Sequence, residues 1–343
     1  MLFSKTRTLV GLDIGTTSVK AVELTERRGK LTVSGFGQVE VNGDTPQARQ
    51  SAVDELVQEC GLRGRRVVTG ISGKNVIVRY LTLPIMREEE MRNALMFEAS
   101  KYVPFPLEEC VLDCQRLEGA VDRAGEGNMT VVLVAARRSQ IAEQMTCIEG
   151  TSLATDAVDL DVMALGNAFM AATPEGDGQT RVAAIIDIGA SKISITVVAD
   201  GTAWFTRELQ SGAGRDMTAA IALRLGVTDE EAEVLKREPG DRASEVTDVV
   251  TTVVDDLANE LQLSFDWFEN QFECRIDRVL LSGGASRLGG LKESLAHALD
   301  REVEIFDPFN GLAVDEGVDA ALLARSAPRL AIAAGLAARV RKA

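Results

Sequence analysis

Histidine is almost missing from this 343-residue chain, whose one imidazole belongs to His297. A single histidine excludes a histidine metal cluster and argues against a Ser-His-Asp triad. Aromatic residues make up only 4% of the chain, so alanine, valine, leucine and isoleucine must form the core. The length is sufficient for two domains of ordinary size.

Positive charge is scarce as well. Lysine and arginine number 37 against 52 acidic residues, which gives a net charge of −15 and no basic tract. A nucleic-acid-binding protein needs positive charge to displace counterions from phosphates, so this composition predicts no nucleic-acid partner.

The five cysteines include no Cys-x-x-Cys pair, which is typical of reduced thiols in a cytoplasmic protein. The N-terminal residues lack the apolar core of a signal peptide, and no uninterrupted apolar run approaches the roughly 18–20 residues of a spanning helix. We therefore expect a soluble protein without direct membrane insertion. Any membrane association would come through a partner or a surface helix.

Residues 8–24, T-L-V-G-L-D-I-G-T-T-S-V-K-A-V-E-L, predict a β-hairpin with a polar turn. Gly15 permits a sharp turn that brings the backbone close to a ligand. Amides and hydroxyls of such a turn can form a nest for phosphate oxygens. The hydroxyl-bearing residues are Thr16, Thr17 and Ser18. Asp13 ends the first strand, where a carboxylate could hold a hydrated magnesium ion.

The same pattern returns in A-A-I-I-D-I-G-A-S-K-I-S-I-T-V-V at 183–198, where Asp187 and Gly189 match Asp13 and Gly15. The turn residues here are Ala190, Ser191 and Lys192. The two glycines are 174 positions apart, which is too far for a solenoid repeat of about 20–50 residues. One Asp-x-Gly turn is common in plain hairpins, whereas two copies indicate two related halves, each with a phosphate hairpin.

Two glycine-rich stretches are further candidates for nucleotide contacts. R-V-L-L-S-G-G-A-S-R-L at 278–288 predicts a strand running into a turn where a base or sugar could lie on bare backbone. Its candidate residues are Gly283, Gly284 and Ala285. Gly212 and Gly214 open a predicted helix, whose first amides could also face phosphate.

In this order, the two hairpins and the Gly-Gly turn resemble the actin-like ATPase superfamily, which includes actin, sugar kinases, chaperone ATPases, FtsA and PilM. The resemblance implies an α/β fold of two related domains around a nucleotide cleft, with an inserted α+β subdomain. It implies that the hairpins grip ATP from opposite sides, that the Gly-Gly turn carries the adenosine, and that Asp13 and Asp187 hold magnesium mostly through water.

The resemblance also assigns roles outside the hairpins. It implies ribose and base contacts for Glu233 and Lys236, which could instead form an ordinary i,i+3 surface pair. Asp159 and Asp161 lie roughly where the superfamily keeps a residue that positions the attacking water or hydroxyl. The expected nucleotide-lining residues are Gly15, Thr16, Thr17, Ser18, Lys20, Gly189, Ala190, Ser191, Lys192, Gly212, Gly214, Glu233, Lys236, Gly283, Gly284 and Ala285.

Four stretches resemble the PilM family of type IV pilus assembly more than FtsA. They are L-P-x-M-x-x-E-E at 83–90, K-Y-V-P-F-P-L-E-E at 101–109, D-P-F-N-G-L at 307–312 and A-P-R-L-A-I-A-A-G-L-A at 327–337. The resemblance implies a cytoplasmic ATP-binding scaffold at the inner membrane that binds the N-terminal peptide of a membrane-anchored PilN-like protein and contacts other pilus assembly proteins. Whether ATP is hydrolysed, and whether the chain forms a homo-oligomer, stays open.

The predicted peptide groove lies between the first core domain and the inserted subdomain. Pro104 and Pro106 stiffen an extended backbone there, and Tyr102, Val103 and Phe105 are the predicted anchors. The alternative interpretation of this segment is a helix stop packed on the core.

Four units are predicted along the chain. A linker rich in turn-forming residues is predicted at 173–180. The four units are a first core domain (1–84, 156–178 and 308–343), an inserted α+β subdomain (85–155), a second core domain (181–205 and 272–307) and a helical nucleotide-capping subdomain (206–271).

Two other functions of the same superfamily compete with the scaffold. An FtsA-like filament former would tether itself to membrane by a C-terminal amphipathic helix, but residues 328–339 carry few large apolar groups and favour a core helix. A small-molecule kinase would need a substrate-specific motif beside Asp159 and Asp161, and the sequence offers none.

Overall fold

The computed structural model describes residues 6–117, 127–173 and 182–341. The strands in chain order are β1 (Arg7–Ile14), β2 (Ser18–Arg27), β3 (Lys30–Glu40), β4 (Arg66–Ile71), β5 (Val76–Pro84), β6 (Cys110–Arg116), β7 (Asn128–Arg137), β8 (Ala154–Leu160), β9 (Ala183–Ile188), β10 (Ile193–Ala199), β11 (Thr202–Leu209), β12 (Arg278–Ser282), β13 (Glu302–Ile305) and β14 (Ala313–Val314). The predicted linker at 173–180 and the polar loop at 119–128 fall almost entirely outside the described residues.

Ten α-helices are found in the described part of the chain. They are α1 (Pro46–Glu59), α2 (Glu88–Glu98), α3 (Arg138–Thr146), α4 (Asp161–Ala172), α5 (Gly214–Leu225), α6 (Asp229–Arg237), α7 (Ala243–Phe272), α8 (Leu291–Leu299), α9 (Ala320–Ser326) and α10 (Ala331–Ala337). Thr45 and Thr228 cap α1 and α6 by accepting a hydrogen bond from an N-terminal amide. Gly226, in the left-handed region, ends α5.

Two of the sheets repeat one topology. The first has the order β14-β3-β2-β1-β4-β8 and the second β11-β10-β9-β12-β13. In each, an antiparallel hairpin (β1–β2 or β9–β10) is followed by a parallel strand on its other side (β4 or β12). The structure therefore confirms the two related halves and the strand–turn–strand form of both phosphate hairpins.

Helices α4 and α10 lie between these two sheets and join their cores. Buried side chains of α4 and α10 cluster with Val22 and Leu24 of the first sheet and Ile185 and Leu280 of the second. Helix α1 covers the opposite face of the first sheet. The two sheets are thus held together by a shared apolar centre.

Glycines allow α10 to approach its neighbours at backbone distance. A Cβ added at Gly335 would lie 1.7 Å from the carbonyl oxygen of Ala164 in α4, and one at Gly11 in β1 would lie 1.9 Å from that of Ala333. Real Cβ atoms do not come so close, so no larger residue fits at either position without movement of a helix.

The third sheet, β5-β7-β6, is antiparallel and belongs to the insertion. Strand β5 pairs along its whole length with β7, so the strand pairing corrects the predicted boundary at 84/85, which would leave β5 in the first core domain. The alternation of polar and apolar residues predicts that β5 is a strand. It does not predict which strand β5 pairs with, because β7 lies more than 40 residues further along the chain. Strand β8 closes the insertion by joining β4 of the first sheet.

The C-terminal helical stretch 320–341 is the one part of the described chain that is long and apolar enough to cross a membrane by length and composition, with mean hydropathy 1.2. Core helices of globular proteins pass the same test, and 61% of its most apolar window is buried inside the protein. Every residue of α10 is buried, which supports the predicted core helix.

We expect Gly335→Ala to lower the melting temperature strongly, because the added methyl group must displace the Ala164 backbone. Overpacking typically costs about 1–3 kcal/mol, and a clash with rigid backbone lies at the upper end, so the cost outweighs the roughly 1 kcal/mol that alanine gains over glycine in a helix. Gly166→Ala in α4 is the matched control, since its Cβ would meet only side-chain atoms at 3.3 Å or more. Equal melting temperatures of the two variants would contradict the packing described here.

Candidate functional site

The two hairpin turns have the same backbone geometry. The amide of Gly15 donates to the carbonyl oxygen of Ser18 at 3.0 Å, and the amide of Gly189 donates to that of Lys192 at 3.0 Å. Each turn is closed by one such hydrogen bond between residues three positions apart, and each follows an aspartate by two positions. The sequence match between the hairpins is therefore also a structural match.

The tips of the two turns meet across the cleft. The hydroxyl of Thr16 donates to that of Ser191 at 3.4 Å, although the two residues are 175 positions apart. This contact places the predicted phosphate hydroxyls of both halves in one small region. On the first hairpin, the Lys20 ammonium lies 3.0 Å from Asp13 Oδ2 and neutralises that carboxylate.

Asp187 is the matching carboxylate of the second hairpin and is buried. Burial, together with the charge of Asp13, raises the pKa of Asp187 to about 6, although Lys20, Ser282 and Lys192 act in the opposite direction. Ser282 Oγ lies 2.9 Å from Asp187 Oδ2 at the end of β12. Asp13 and Asp187 thus form one shared electrostatic site, in which the charge of Asp13 affects the ionisation of Asp187.

This pair of aspartates fits a magnesium ion held mainly through water. The described residues contain no group of three or more His, Cys, Asp or Glu side chains with metal-binding geometry, so an all-protein cage is absent from them. Mg²⁺ ordinarily keeps several waters and takes one or two carboxylates plus phosphate oxygens. The raised pKa of Asp187 shows that its negative charge lacks full compensation, which a cation would supply.

Lys192 of the second turn takes part in a buried ion cluster. Its ammonium lies 2.6 Å from Asp161 Oδ2 and 3.8 Å from Glu208 Oε1, and it also contacts Ser72 Oγ. Ser72 Oγ donates to the same Asp161 oxygen at 2.6 Å, and the Gly73 amide donates to Glu208 at 2.7 Å. The cluster therefore joins the loop before β5, the start of α4 and strand β11.

The pKa shifts describe an ionised pair inside this cluster. Burial alone would raise the pKa of Asp161, but the Lys192 ammonium outweighs burial and lowers it. Burial alone would lower the pKa of Lys192, but Asp161 and Glu208 raise it. Burial raises the pKa of Glu208, so this carboxylate is the more readily protonated of the two acids around Lys192.

The structure separates the two predicted catalytic aspartates. Asp161, the first residue of α4, faces Lys192, whereas Asp159 in β8 forms an ion pair with Arg339 near the C-terminus. Lys192 and Ser72 both bind Oδ2 of Asp161. Its role in positioning water stays a prediction, and the same role for Asp159 has no geometric support because its carboxylate is held by a C-terminal arginine.

The Gly-Gly turn after β12 contains one glycine required by the fold and one that borders open space. Gly283 has φ +88°, and an added Cβ would lie 2.4 Å from the Ile188 carbonyl oxygen, so this position packs against the second hairpin. An added Cβ at Gly284 would meet nothing within 4 Å. Ala285 is buried and donates its amide to Ile188 O at 3.2 Å. Gly284 is therefore the residue of this turn with bare backbone beside free volume.

The first amides of α5 do not point into the cleft as predicted. The amide of Gly214 donates to Gly189 O at 2.9 Å, and that of Arg215 donates to Ala190 O at 2.8 Å. These donors brace the second hairpin, so the expectation that they face phosphate is wrong for these two residues. Gly212, with φ +77°, forms the turn that brings α5 to the hairpin.

Glu233 and Lys236 form a partly buried cluster rather than a simple surface pair. Thr218 Oγ1 lies 2.7 Å from Glu233 Oε2 and accepts from the Lys236 ammonium at 2.7 Å. The same ammonium donates to Gly214 O at 3.0 Å, which ties α6 to the start of α5. Burial would raise the pKa of Glu233, but the Lys236 ammonium and the Thr218 hydroxyl hold it below its usual range.

Two exposed ion pairs bridge the cleft between α5–α6 and the first core domain. Arg215 Nη2 lies 2.7 Å from Asp44 Oδ1, and Arg237 Nη1 lies 3.3 Å from Glu40 Oε1. Sequence reasoning missed these residues, together with Ser72, Glu208 and Thr218, because no motif marks them. Glu208 is the one carboxylate of strand β11, but it follows Arg207, so the local sequence does not mark it as unusual.

The predicted peptide anchors lie in different environments. Val103 is only 5% exposed and packs with Cys110 and Ala135, so it is a core residue and its predicted role as an accessible anchor is not supported. Tyr102 is half-buried and packs against the apolar cluster that contains Met91 and Leu95 of α2. Phe105 is partly exposed, and the Arg137 guanidinium lies 4.2 Å from the centre of its ring. Strand β6, which follows this segment, is an edge strand of its sheet.

With this geometry established, comparison with known proteins identifies the family. The family model described as type IV pilus assembly protein PilM matches residues 11–341. This chain belongs to the PilM family. The cell division protein FtsA of Enterococcus faecalis (strain ATCC 700802 / V583) is 23% identical to it, with 89% of this chain and 80% of that protein covered.

Solved structures agree with the family assignment. A PilM-PilN type IV pilus biogenesis complex matches this PilM-family chain with a TM-score of 0.84 and 28% identity, covering 97% of this chain and 98% of that one. MreB 5 of Spiroplasma citri bound to AMPPNP matches with a TM-score of 0.50 and 12% identity over 96% and 95% of the chains, a likeness of fold alone. The actin-like ATPase fold predicted from the sequence is confirmed.

We expect Asp187→Asn to stabilise the metal-free protein at pH 8 and to change it little near pH 4. The pKa of about 6 lies above the ordinary value of 3.8, so ionisation in the folded state costs stability as the pH rises through that interval. The difference should grow to about 2–3 kcal/mol above pH 6, at 1.36 kcal/mol per pKa unit, and then level off.

Chemical unfolding in EDTA across this pH range would measure the effect. Asp256→Asn, at an exposed position on α7, is the control for loss of one negative charge. A difference between Asp187→Asn and wild type that is independent of pH would contradict the shared electrostatic site.

Proposed function

We propose that this PilM-family chain is a nucleotide-dependent scaffold of type IV pilus assembly. It binds Mg-ATP between the two hairpins and holds the N-terminal cytoplasmic peptide of a PilN-like membrane protein at the inserted subdomain. Through that peptide it sits at the cytoplasmic face of the inner membrane. The match to the PilM-PilN complex over 97% of the chain is the observation that supports this function best.

Nucleotide binding is supported by the meeting of the two turns. Phosphates placed beside Thr16 and Ser191 would find turn amides and hydroxyls from both halves, in the manner of an anion nest. Lys20 and Lys192 supply the nearby positive charge. Asp13 and Asp187 would hold the magnesium ion, and Gly284, Glu233 and Lys236 would contact the nucleoside. Hydrolysis is no part of the proposal.

Peptide binding is supported by the edge strand β6 and by the segment that precedes it. An added peptide strand could pair with β6, while Phe105 offers a ring whose orientation is limited by Arg137 and the flanking prolines. A side chain that is already ordered loses little entropy on binding. Val103 contributes to the floor beneath this ring rather than to the contact surface.

The FtsA-like alternative needs a free membrane-binding helix at the C-terminal end. In the described part of the chain, residues 331–337 are all buried between β1 and α4, so that helix is occupied by the core. The small-molecule kinase alternative needs an unengaged carboxylate beside a substrate pocket, and Asp161 is paired with Lys192. The scaffold function is therefore favoured.

We expect Gly284→Val to abolish stabilisation by Mg-ATP without unfolding the protein, because the new side chain fills volume proposed for the nucleoside. Wild-type protein at 100 times Kd should gain about 2.7 kcal/mol, read as a rise in melting temperature. Gly289→Val, also beside open space, is the control. A wild-type protein that millimolar Mg-ATP leaves unchanged would refute the nucleotide site.

We expect Phe105→Ala to weaken binding of the PilN-like peptide at least tenfold and to leave Mg-ATP affinity unchanged, since a central aromatic anchor contributes about 2 kcal/mol. Phe97→Ala, on the neighbouring helix α2 and 88% exposed, is the control. Fluorescence anisotropy of a labelled peptide measures the affinity. Unaltered affinity in Phe105→Ala would move the groove elsewhere, and equal loss of both ligands would make Phe105 an ordinary core residue.

A further inference from the structure

Five aromatic residues pack together where helix α7 meets strand β11. Both tryptophans lie there in a ring cluster with three phenylalanines. The members are Trp204, Phe205, Trp267, Phe268 and Phe272. Trp204 is fully buried, so core packing explains its presence. Core packing does not explain Trp267, because half of its surface is exposed to solvent.

Trp267 and Leu263 form an exposed apolar pair on the long helix α7. The two residues are four positions apart, so they lie on the same face, with 50% and 61% of their surfaces exposed. The indole is held in place by Phe205 at 5.2 Å and Phe272 at 6.3 Å between ring centres. A large apolar side chain fixed before binding is the property of a binding anchor.

The charge of α7 restricts what can cover this pair. The 30-residue helix carries seven acidic residues and no lysine, arginine or histidine. Asp256 and Glu260 continue the stripe of Leu263 and Trp267 towards the helix N-terminus, and Asp266 is exposed beside it. Glu260 is paired with Arg207 at 3.0 Å and Glu269 with Arg301 at 2.9 Å, so the negative field of the face comes from the other acids of α7.

This negative field determines which kinds of partner could bind to Leu263 and Trp267. A second copy of the chain would bring a net charge of −15 against an acidic face, and an anionic lipid surface would likewise be repelled. A positively charged segment would be attracted, and an apolar side chain on it would cover Trp267 and Leu263. An amphipathic helix with leucine or phenylalanine on one face and lysine or arginine beside it has both features.

We propose that the α7 face around Leu263 and Trp267 is a second protein-docking surface, and that it binds a basic amphipathic helix of a partner protein. The surface belongs to helix α7 of the helical subdomain and uses none of the residues assigned to nucleotide or to the PilN-like peptide. Binding of the partner helix at this surface therefore requires neither nucleotide nor the PilN-like peptide.

The test uses Trp267 itself as the reporter. Because Trp204 is fully buried, acrylamide quenching of the intrinsic fluorescence reports mainly the solvent contact of Trp267. The probe is a synthetic amphipathic helix of about 18 residues containing only leucine and lysine at helical spacing. We expect it to protect Trp267 from quenching in nucleotide-free protein and to bind more weakly as the salt concentration rises.

Leu263→Glu should weaken the probe at least tenfold even though it adds a negative charge, because it removes the apolar contact. Leu223→Glu, on α5 and 88% exposed, adds the same charge at another place and should leave affinity unchanged. Equal affinity in the two variants, or equal binding of a scrambled non-amphipathic peptide, would overturn the proposal in favour of general electrostatic attraction.

The competing occupants give distinct results in the same assay. Protection of Trp267 by anionic phospholipid vesicles, and not by the peptide, would overturn the proposal in favour of a lipid surface. Protection that grows with protein concentration and disappears in Leu263→Glu, seen together with a dimer in sedimentation, would replace the partner helix with a second copy of the chain.

Discussion

The close packing of α10 between β1 and α4 is the constraint on which the rest of the structure depends. Backbones meet at Gly335 and Gly11 at distances that admit no Cβ atom. This contact sets the separation of the two large sheets, because α4 and α10 are the layer between them. The separation in turn decides that the tips of the two hairpins meet at Thr16 and Ser191 rather than standing apart.

Both lysines of the site formed where the hairpins meet are paired with carboxylates before any ligand binds, whereas the charge of Asp187 is not fully compensated. Lys20 neutralises Asp13, and Lys192 neutralises Asp161, so each lysine proposed for phosphate already has a carboxylate partner. In a buried ion pair each charge compensates the other, and breaking the pair costs several kcal/mol. Under the proposed function, phosphate competes for the lysines while magnesium takes up the negative charge that they leave, so the two would bind best together.

The three proposed binding surfaces use different parts of the molecule and different chemistry. The cleft offers amides, hydroxyls and charges for a phosphate ligand. The inserted sheet offers the edge of β6 and the ring of Phe105 for an extended peptide. The α7 face offers Trp267 and Leu263 within an acidic field for a basic helix. A scaffold benefits from such separation, since mutations at one surface leave the others intact.

The sequence by itself determined the two hairpins, the Gly-Gly turn and the buried C-terminal helix, because each depends on a local pattern of glycine or of apolar spacing. Tertiary structure decided that β5 joins the inserted sheet, that Val103 faces inward, and that Asp159 pairs with Arg339 while Asp161 pairs with Lys192. It also decided that the first amides of α5 brace the second hairpin, and that Ser72 and Glu208 surround Lys192. These features depend on contacts between residues far apart in the chain, and local periodicity carries no information about which distant groups will meet.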